Sequence, residues 1–261
     1  MENQPTGKTE MRVVCAGCSI TRGQVSIDYV EMLRRRFAGR PVTFANSGVN
    51  YDVAFNLQER LNEVIAQNPD IVTILIGTND ANSTLSPKNS RLLRFLKKLP
   101  VIPSPDWYKE NLNIIVKELK ERTNAHVALL SLPVIGEDVD SEANRRTGEY
   151  SAIINDVAKS HGVTYLPLNE RMKAYLQLQN KTSSFPYRPG LYQSSTASMQ
   201  HFMLRRDLDT ISSRRGLQLT IDNIHLNSRG AGMVADLIES LIIKQTGNGV
   251  TPLKYTNGDD T

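Results

Sequence analysis

Five short apolar runs, each rich in β-branched residues and bounded by turn residues, alternate along the chain with longer segments of helical spacing. The runs are 12–16, 42–46, 70–76, 126–131 and 163–166. They are too short for independent helices and suit buried strands. Between them, Leu57, Leu61, Val64 and Ile65 share one helical face. So do Leu112, Ile115, Val116 and Leu119, then Tyr150, Ile153, Ile154 and Val157, and finally Val234, Leu237, Ile238 and Leu241. Apolar stripes of this kind pack against a core. Strand–helix–strand alternation closes into a parallel sheet with helices on both faces. The pattern therefore predicts an α/β fold with a five-stranded parallel sheet. In such sheets the chemistry gathers beyond the carboxyl ends of the strands.

A chain of 261 residues suits one sizeable domain. That domain is expected over 11–246, with flexible tails at 1–10 and 247–261. Two stretches break the rhythm, near 83–105 and 179–219, and read as insertions. A charge balance of 31 basic against 27 acidic residues, net +4, is too slight to imply a nucleic-acid partner. The polar start MENQPTGKTE lacks the apolar core of a signal peptide, and no apolar run is long enough to span a bilayer. With only Cys15 and Cys18 in the chain, a cytoplasmic, reducing setting is expected.

The residues just after the strand candidates form a coherent set. Gly17-Cys18-Ser19 follows the first, Asn46-Ser47-Gly48 the second, and Gly77-Thr78-Asn79-Asp80 the third. Asp222-Asn223-Ile224-His225 precedes the last helix. A serine hydroxyl becomes a nucleophile when a nearby base takes its proton, and histidine is such a base near neutral pH. An aspartate three residues earlier can fix the imidazole tautomer. The backbone N–H of Ser19, the N–H of Gly48 and the side-chain amide of Asn79 can together receive an oxyanion.

The order Gly-x-Ser-x-x-x-Gly, Asn-x-Gly, Gly-Thr-Asn-Asp, Asp-x-x-His resembles the SGNH, or GDSL-like, hydrolase family, and its blocks run through nearly the whole core. The resemblance implies a flavodoxin-like three-layer α/β/α sandwich. It also implies ester hydrolysis through an acyl-enzyme without metal or cofactor. Carried onto this sequence, it makes Ser19 the nucleophile, His225 the base and Asp222 its orienter. Ser19, Gly48 and Asn79 become the oxyanion hole. Two positions depart from the pattern. The residue before the serine is usually Asp and here is Cys18, and Tyr51 stands where a small residue is common.

The same residues admit other readings. Ser19 alone would pass for a helix N-cap, and Asn79 for a turn residue. Cys15-x-x-Cys18 has thioredoxin-type spacing, which keeps a Cys18-based thiol protein as an alternative. Two thiols with no histidine spacing to complete four ligands do not make a zinc site. A catalytically weakened binding module on the same fold is the other alternative, suggested by Cys18 and Tyr51. The segment 91–98 mixes Arg91, Arg94, Lys97 and Lys98 with leucines and Phe95. It reads as a solvated helix, or as a basic rim suited to an anionic ester or a membrane surface. The expected substrate is a small-molecule, lipid or carbohydrate ester. The oligomeric state is not legible.

Overall fold

The computed structural model describes residues 10–179 and 184–247. The expected tails thus lie outside the described residues except at positions 10 and 247, as do 180–183 of the second insertion. Strands β1 (Met11–Gly17), β2 (Val42–Gly48), β3 (Ile71–Leu75), β4 (His126–Leu130) and β5 (Thr164–Leu166) form one sheet in the order β2-β1-β3-β4-β5. All four pairings are parallel. Every residue of β3 is buried, as expected for a central parallel strand covered on both faces. β2 runs to Gly48, beyond the predicted end at 46, because Gly17 and Gly48 pair across the β1–β2 ladder.

The helices are α1 (Ser19–Arg22), α2 (Tyr29–Arg36), α3 (Ala54–Glu59), α4 (Leu61–Ile65), α5 (Thr78–Ser83) and α6 (Pro87–Lys97). They continue with α7 (Pro105–Arg122), α8 (Glu142–His161), α9 (Leu168–Gln179), α10 (Tyr192–Phe202), α11 (Leu208–Arg214) and α12 (Ser228–Gln245). Helices α3, α7 and α8 pack side by side, and α2, α12 and α9 do likewise. This division follows from right-handed crossovers. β1 connects leftward to β2, whereas the later connections run rightward, so α2 lies across the sheet from α3, α7 and α8. Arg36 of α2 bridges Asp236 and Glu239 of α12 at 2.8 and 2.7 Å, tying that layer together.

The apolar stripes of the sequence are the core. Leu112, Ile115, Val116 and Leu119 are all essentially inaccessible. At about 1.5–3 kcal/mol for each large apolar side chain buried, such stripes hold the helices to the sheet. The 57–65 stripe differs in one respect: the helix breaks at Arg60 into α3 and α4. Leu57, Leu61 and Val64 stay buried through the break.

The reversal in strand order puts the switch point between β1 and β3. Ligand crevices in this class of sheet open there, so the residues after β1 and β3 are the ones placed for chemistry.

Candidate active site

β1 passes straight into α1, a single turn whose first residue is Ser19. The turn lies hard against the strand ends. A Cβ on Gly17 would sit 2.2 Å from Thr21 Oγ1, and one on Gly48 would sit 2.3 Å from the Arg22 nitrogen. Only glycine leaves room for that approach. Gly23, at φ 73°, then ends the turn in the left-handed region. The result is a half-buried Ser19 facing the space above β1 and β3. With one turn the helix dipole is small, so the directional N–H of Ser19 matters more than the field.

Asp222 and His225 sit on a tight loop closed by an antiparallel bridge between Thr220 and Leu226. Asn223 takes φ 72° inside it. Ile221 N–H donates to His225 O at 2.7 Å, and Arg215 holds Ile221 O at 3.0 Å while its guanidinium stacks 4.7 Å over Phe185. The buried carboxylate of Glu137 accepts from the N–H groups of Gln218, Leu219 and Thr220 at 2.7–2.9 Å, anchoring the approach to the loop. The far end is stitched to the segment after α1: Ser26 Oγ accepts from Leu226 N–H at 3.0 Å.

This scaffold brings His225 Nε2 to 3.0 Å from Ser19 Oγ. His225 Nδ1 lies 2.7 Å from Asp222 Oδ2. Asp222 Oδ1 accepts from the N–H groups of Ile224 and His225 at 3.1 and 2.8 Å. Burial by itself would raise the Asp222 carboxyl. The His225 charge and these hydrogen bonds outweigh it, and the pKa is lowered. Burial by itself would lower the His225 imidazole. The Asp222 charge and hydrogen bond outweigh that too, and the pKa is raised. A more basic imidazole held in one tautomer is what proton abstraction from Ser19 requires.

Asn79 follows Gly77, which adopts φ 119° with the Tyr108 ring 2.7 Å from where a Cβ would stand. Asn79 donates one amide hydrogen to Asp52 O at 2.9 Å. Its side chain borders the same space as Ser19 and His225, so the second amide hydrogen is directed by the first. Gly48 behaves differently from the other expected donors. Its N–H is held by Asn46 Oδ1 at 3.0 Å, and Asn46 in turn donates to Thr21 O at 2.7 Å. The structure thus gathers Ser19, Asn79 and His225 around one opening, with Asp222 buried behind His225 and the Gly48 N–H engaged by Asn46.

Sequence reasoning missed the network beneath. Arg60 donates to Gly17 O, Ser47 O and Ser47 Oγ, at 3.1, 3.0 and 3.3 Å, and to Asp52 Oδ2 at 2.7 Å. Lys97 of α6 meets the other Asp52 oxygen at 2.7 Å. One signal was available: Arg60 falls three residues after Leu57 and four before Val64, on the apolar face, where a charge needs a buried partner. Asp80, fully buried, accepts from Ala54 N–H at 3.2 and 3.3 Å, and burial pushes its carboxyl up to about 7.

The two thiols are 0% and 1% exposed. Burial pushes Cys15 up to about 12 and Cys18 up to about 11. A thiolate at either is therefore disfavoured, which removes the physical basis for the Cys18-based alternative. The other histidines are occupied elsewhere: His126 with Thr164, His161 with Asn113, and His201 with Arg206 O.

The site opens into a cleft of about 330 Å³. Its walls come from both insertions, with Leu92 and Leu96 of α6 facing Leu191 and Ser195 of the α10 region.

The GDSL-like Lipase/Acylhydrolase family matches residues 15–232. The chain belongs to that family. Membership makes it a hydrolase of ester bonds. No curated protein matches the chain in sequence. Among solved structures, the acetyl xylan esterase AlAXEase superposes with a TM-score of 0.63 at 20% identity, covering 89% of this chain and 100% of that one. LAE5, an α/β hydrolase enzyme from the metagenome of Lake Arreo, gives 0.60 at 20% identity over 91% and 95%. Axe2, an acetylxylan esterase from Geobacillus stearothermophilus, gives 0.61 at 17% identity over 90% and 96%. At these identities the likeness establishes the shared fold. The three-layer α/β/α sandwich of this GDSL-like chain is the one those hydrolases have.

Proposed function

We propose that the protein is a serine esterase acting through an acyl-enzyme on Ser19. The single observation that carries this reading is the hydrogen-bonded series Ser19–His225–Asp222, opening with Asn79 into one cleft. His225 Nε2 takes the Ser19 proton as Oγ attacks the ester carbonyl carbon. The oxyanion is met by the Ser19 N–H and the second amide hydrogen of Asn79. The imidazolium then protonates the leaving alkoxide. Water, deprotonated by the same imidazole, releases the acid. Solved catalytic mutants of Axe2 replace a serine, an aspartate and a histidine, the same three residue types joined here. An acetylated sugar, a lysophospholipid or a short acyl ester all present the required carbonyl.

The test uses p-nitrophenyl acetate and a fluorophosphonate probe on the wild type, Ser19→Ala and Cys18→Ala. Turnover and labelling are expected in the wild type and in Cys18→Ala. Ser19→Ala is expected to abolish labelling and lower kcat on the order of 10³-fold or more. Loss in Cys18→Ala alone would overturn the assignment of Ser19. Absence of turnover and labelling in every form, over a broad ester panel, would favour a binding module.

A further inference from the structure

The rim of the cleft carries an unbalanced surface. The chain has 27 acidic residues in 261, yet 81–105 and 171–206 contain none. These two stretches supply α6 and α10, the walls that face each other across the site. Lys88, Arg91 and Lys98 are exposed, as is Arg205 beyond α10. Among the described residues none of these four has an ion-pair partner, whereas the arginines of α2 pair with Glu31, Asp236 and Glu239.

The same rim is apolar where it projects. Leu92, Phe95 and Leu96 share one face of α6, and Phe95 is 80% exposed. On α10, Tyr192 and Met199 share the face of Ser195, which lines the cleft. Tyr192 is 75% exposed, and Met203, just past the helix, 76%. A contiguous apolar patch framed by charge marks a contact surface. The cleft between these helices is itself lined with apolar groups: Val25, Leu92, Leu93, Leu96, Leu191 and Ile224.

We propose that α6 and α10 seat the protein on the surface of an aggregated anionic amphiphile and pass its acyl chain into the cleft. The inference rests on the Ser19 reading for its chemistry and on the rim for its partner. Positive side chains without an ion-pair partner among the described residues complement an anionic surface, and projecting Phe, Tyr, Leu and Met side chains enter its apolar boundary. A protein bound over this rim would close the mouth of the cleft. An amphiphile surface covers the same rim and supplies substrate through it. Among the described residues no helix is long and apolar enough to cross a membrane, and the contact inferred is peripheral.

The binding test uses full-length Ser19→Ala, so that no lipid is consumed. It is sedimented with vesicles of equimolar phosphatidylglycerol and phosphatidylcholine, and with vesicles of phosphatidylcholine alone. Preferential partition to the anionic vesicles, falling steeply with added salt, is expected. Adding Lys88→Gln, Arg91→Gln and Lys98→Gln should lower the partition on the order of a hundredfold, at roughly fivefold per basic group. The melting temperature of each variant reports folding. Equal partition to neutral and anionic vesicles would overturn the proposal, as would salt-independent binding or no loss in the folded triple variant. With soluble p-nitrophenyl esters, wild-type kcat/KM should rise from acetate to octanoate, and a preference for acetate would refute the acyl-chain half. Failed partition beside normal ester turnover would spare the Ser19 reading. Normal partition without turnover would sink that reading and leave the surface intact.

Discussion

Replacing Arg60 with Met keeps the apolar stem and removes the charge that joins three pieces of the site. Its side chain is 13% exposed and its partner Asp52 only 2%. Breaking one partner from a buried pair costs about 3–5 kcal/mol, because the remaining charge loses its compensation. Lys97 remains 2.7 Å from the other Asp52 oxygen, so the lower end, about 3 kcal/mol, applies. For a chain of this size each kcal/mol lowers Tm by roughly 2–4 °C, so a fall of about 6 °C or more is expected. Activity should drop as well. Asn79 hangs from the Asp52 carbonyl, and Arg60 also ties Gly17 O to Ser47 O at the strand ends. Partial displacement of Asn79 should cost kcat about tenfold, short of the 10²–10³-fold for losing an oxyanion donor outright. KM should change less, because the donor acts mainly on the transition state. The assays are thermal unfolding and p-nitrophenyl acetate kinetics. A Tm loss under about 2 °C with unchanged kcat would show that Arg60 neither supports the fold nor positions the oxyanion donors.

Two further outcomes follow from the same geometry. Asn79→Ala should lower kcat about 10²–10³-fold with little effect on KM, read by steady-state kinetics; an unchanged kcat would remove Asn79 from the oxyanion hole. The pH profile of kcat/KM tests the base. His225 must be neutral to accept the Ser19 proton, and Asp222 raises its pKa against the effect of burial. Activity should therefore rise with pH through a midpoint above the ordinary imidazole value. In Asp222→Asn burial acts unopposed, so the midpoint should move to lower pH, while kcat falls about 10⁴-fold through loss of the correct tautomer. A midpoint that does not move would show that Asp222 does not act on His225.

The legible part of the fold was the part written in periodicity. Runs of four to seven mostly apolar or β-branched residues, separated by stripes such as Leu112–Leu119, are satisfied by strands and helices packed face to face. Strand ends moved where backbones meet: β2 continued to Gly48 because Gly17 lies opposite it. The candidate site was legible where its chemistry is local. Asp222 and His225 are three residues apart and hydrogen-bond within one loop. Ser19 needed the family resemblance, since a lone serine after a strand is as readily a cap.

What spacing along a chain cannot carry is the choice of long-range partners. Arg60 reads as one charge in an amphipathic segment until the fold sets Gly17, Ser47 and Asp52 around it. The Gly48 N–H reads as a free donor until the Asn46 carbonyl is found to hold it. Cys18 looks reactive in a Cys-x-x-Cys spacing, and burial raises its pKa instead. The sequence by itself determined the alternation of strands and helices and with it the parallel sheet, because periodicity encodes those, and the choice of Ser19, His225 and Asp222 as reacting groups came from the family resemblance. The tertiary structure alone decided which donors are free, which charges are paired and which apolar faces of α6 and α10 surround the cleft. Those depend on distances between segments that the chain brings together only on folding.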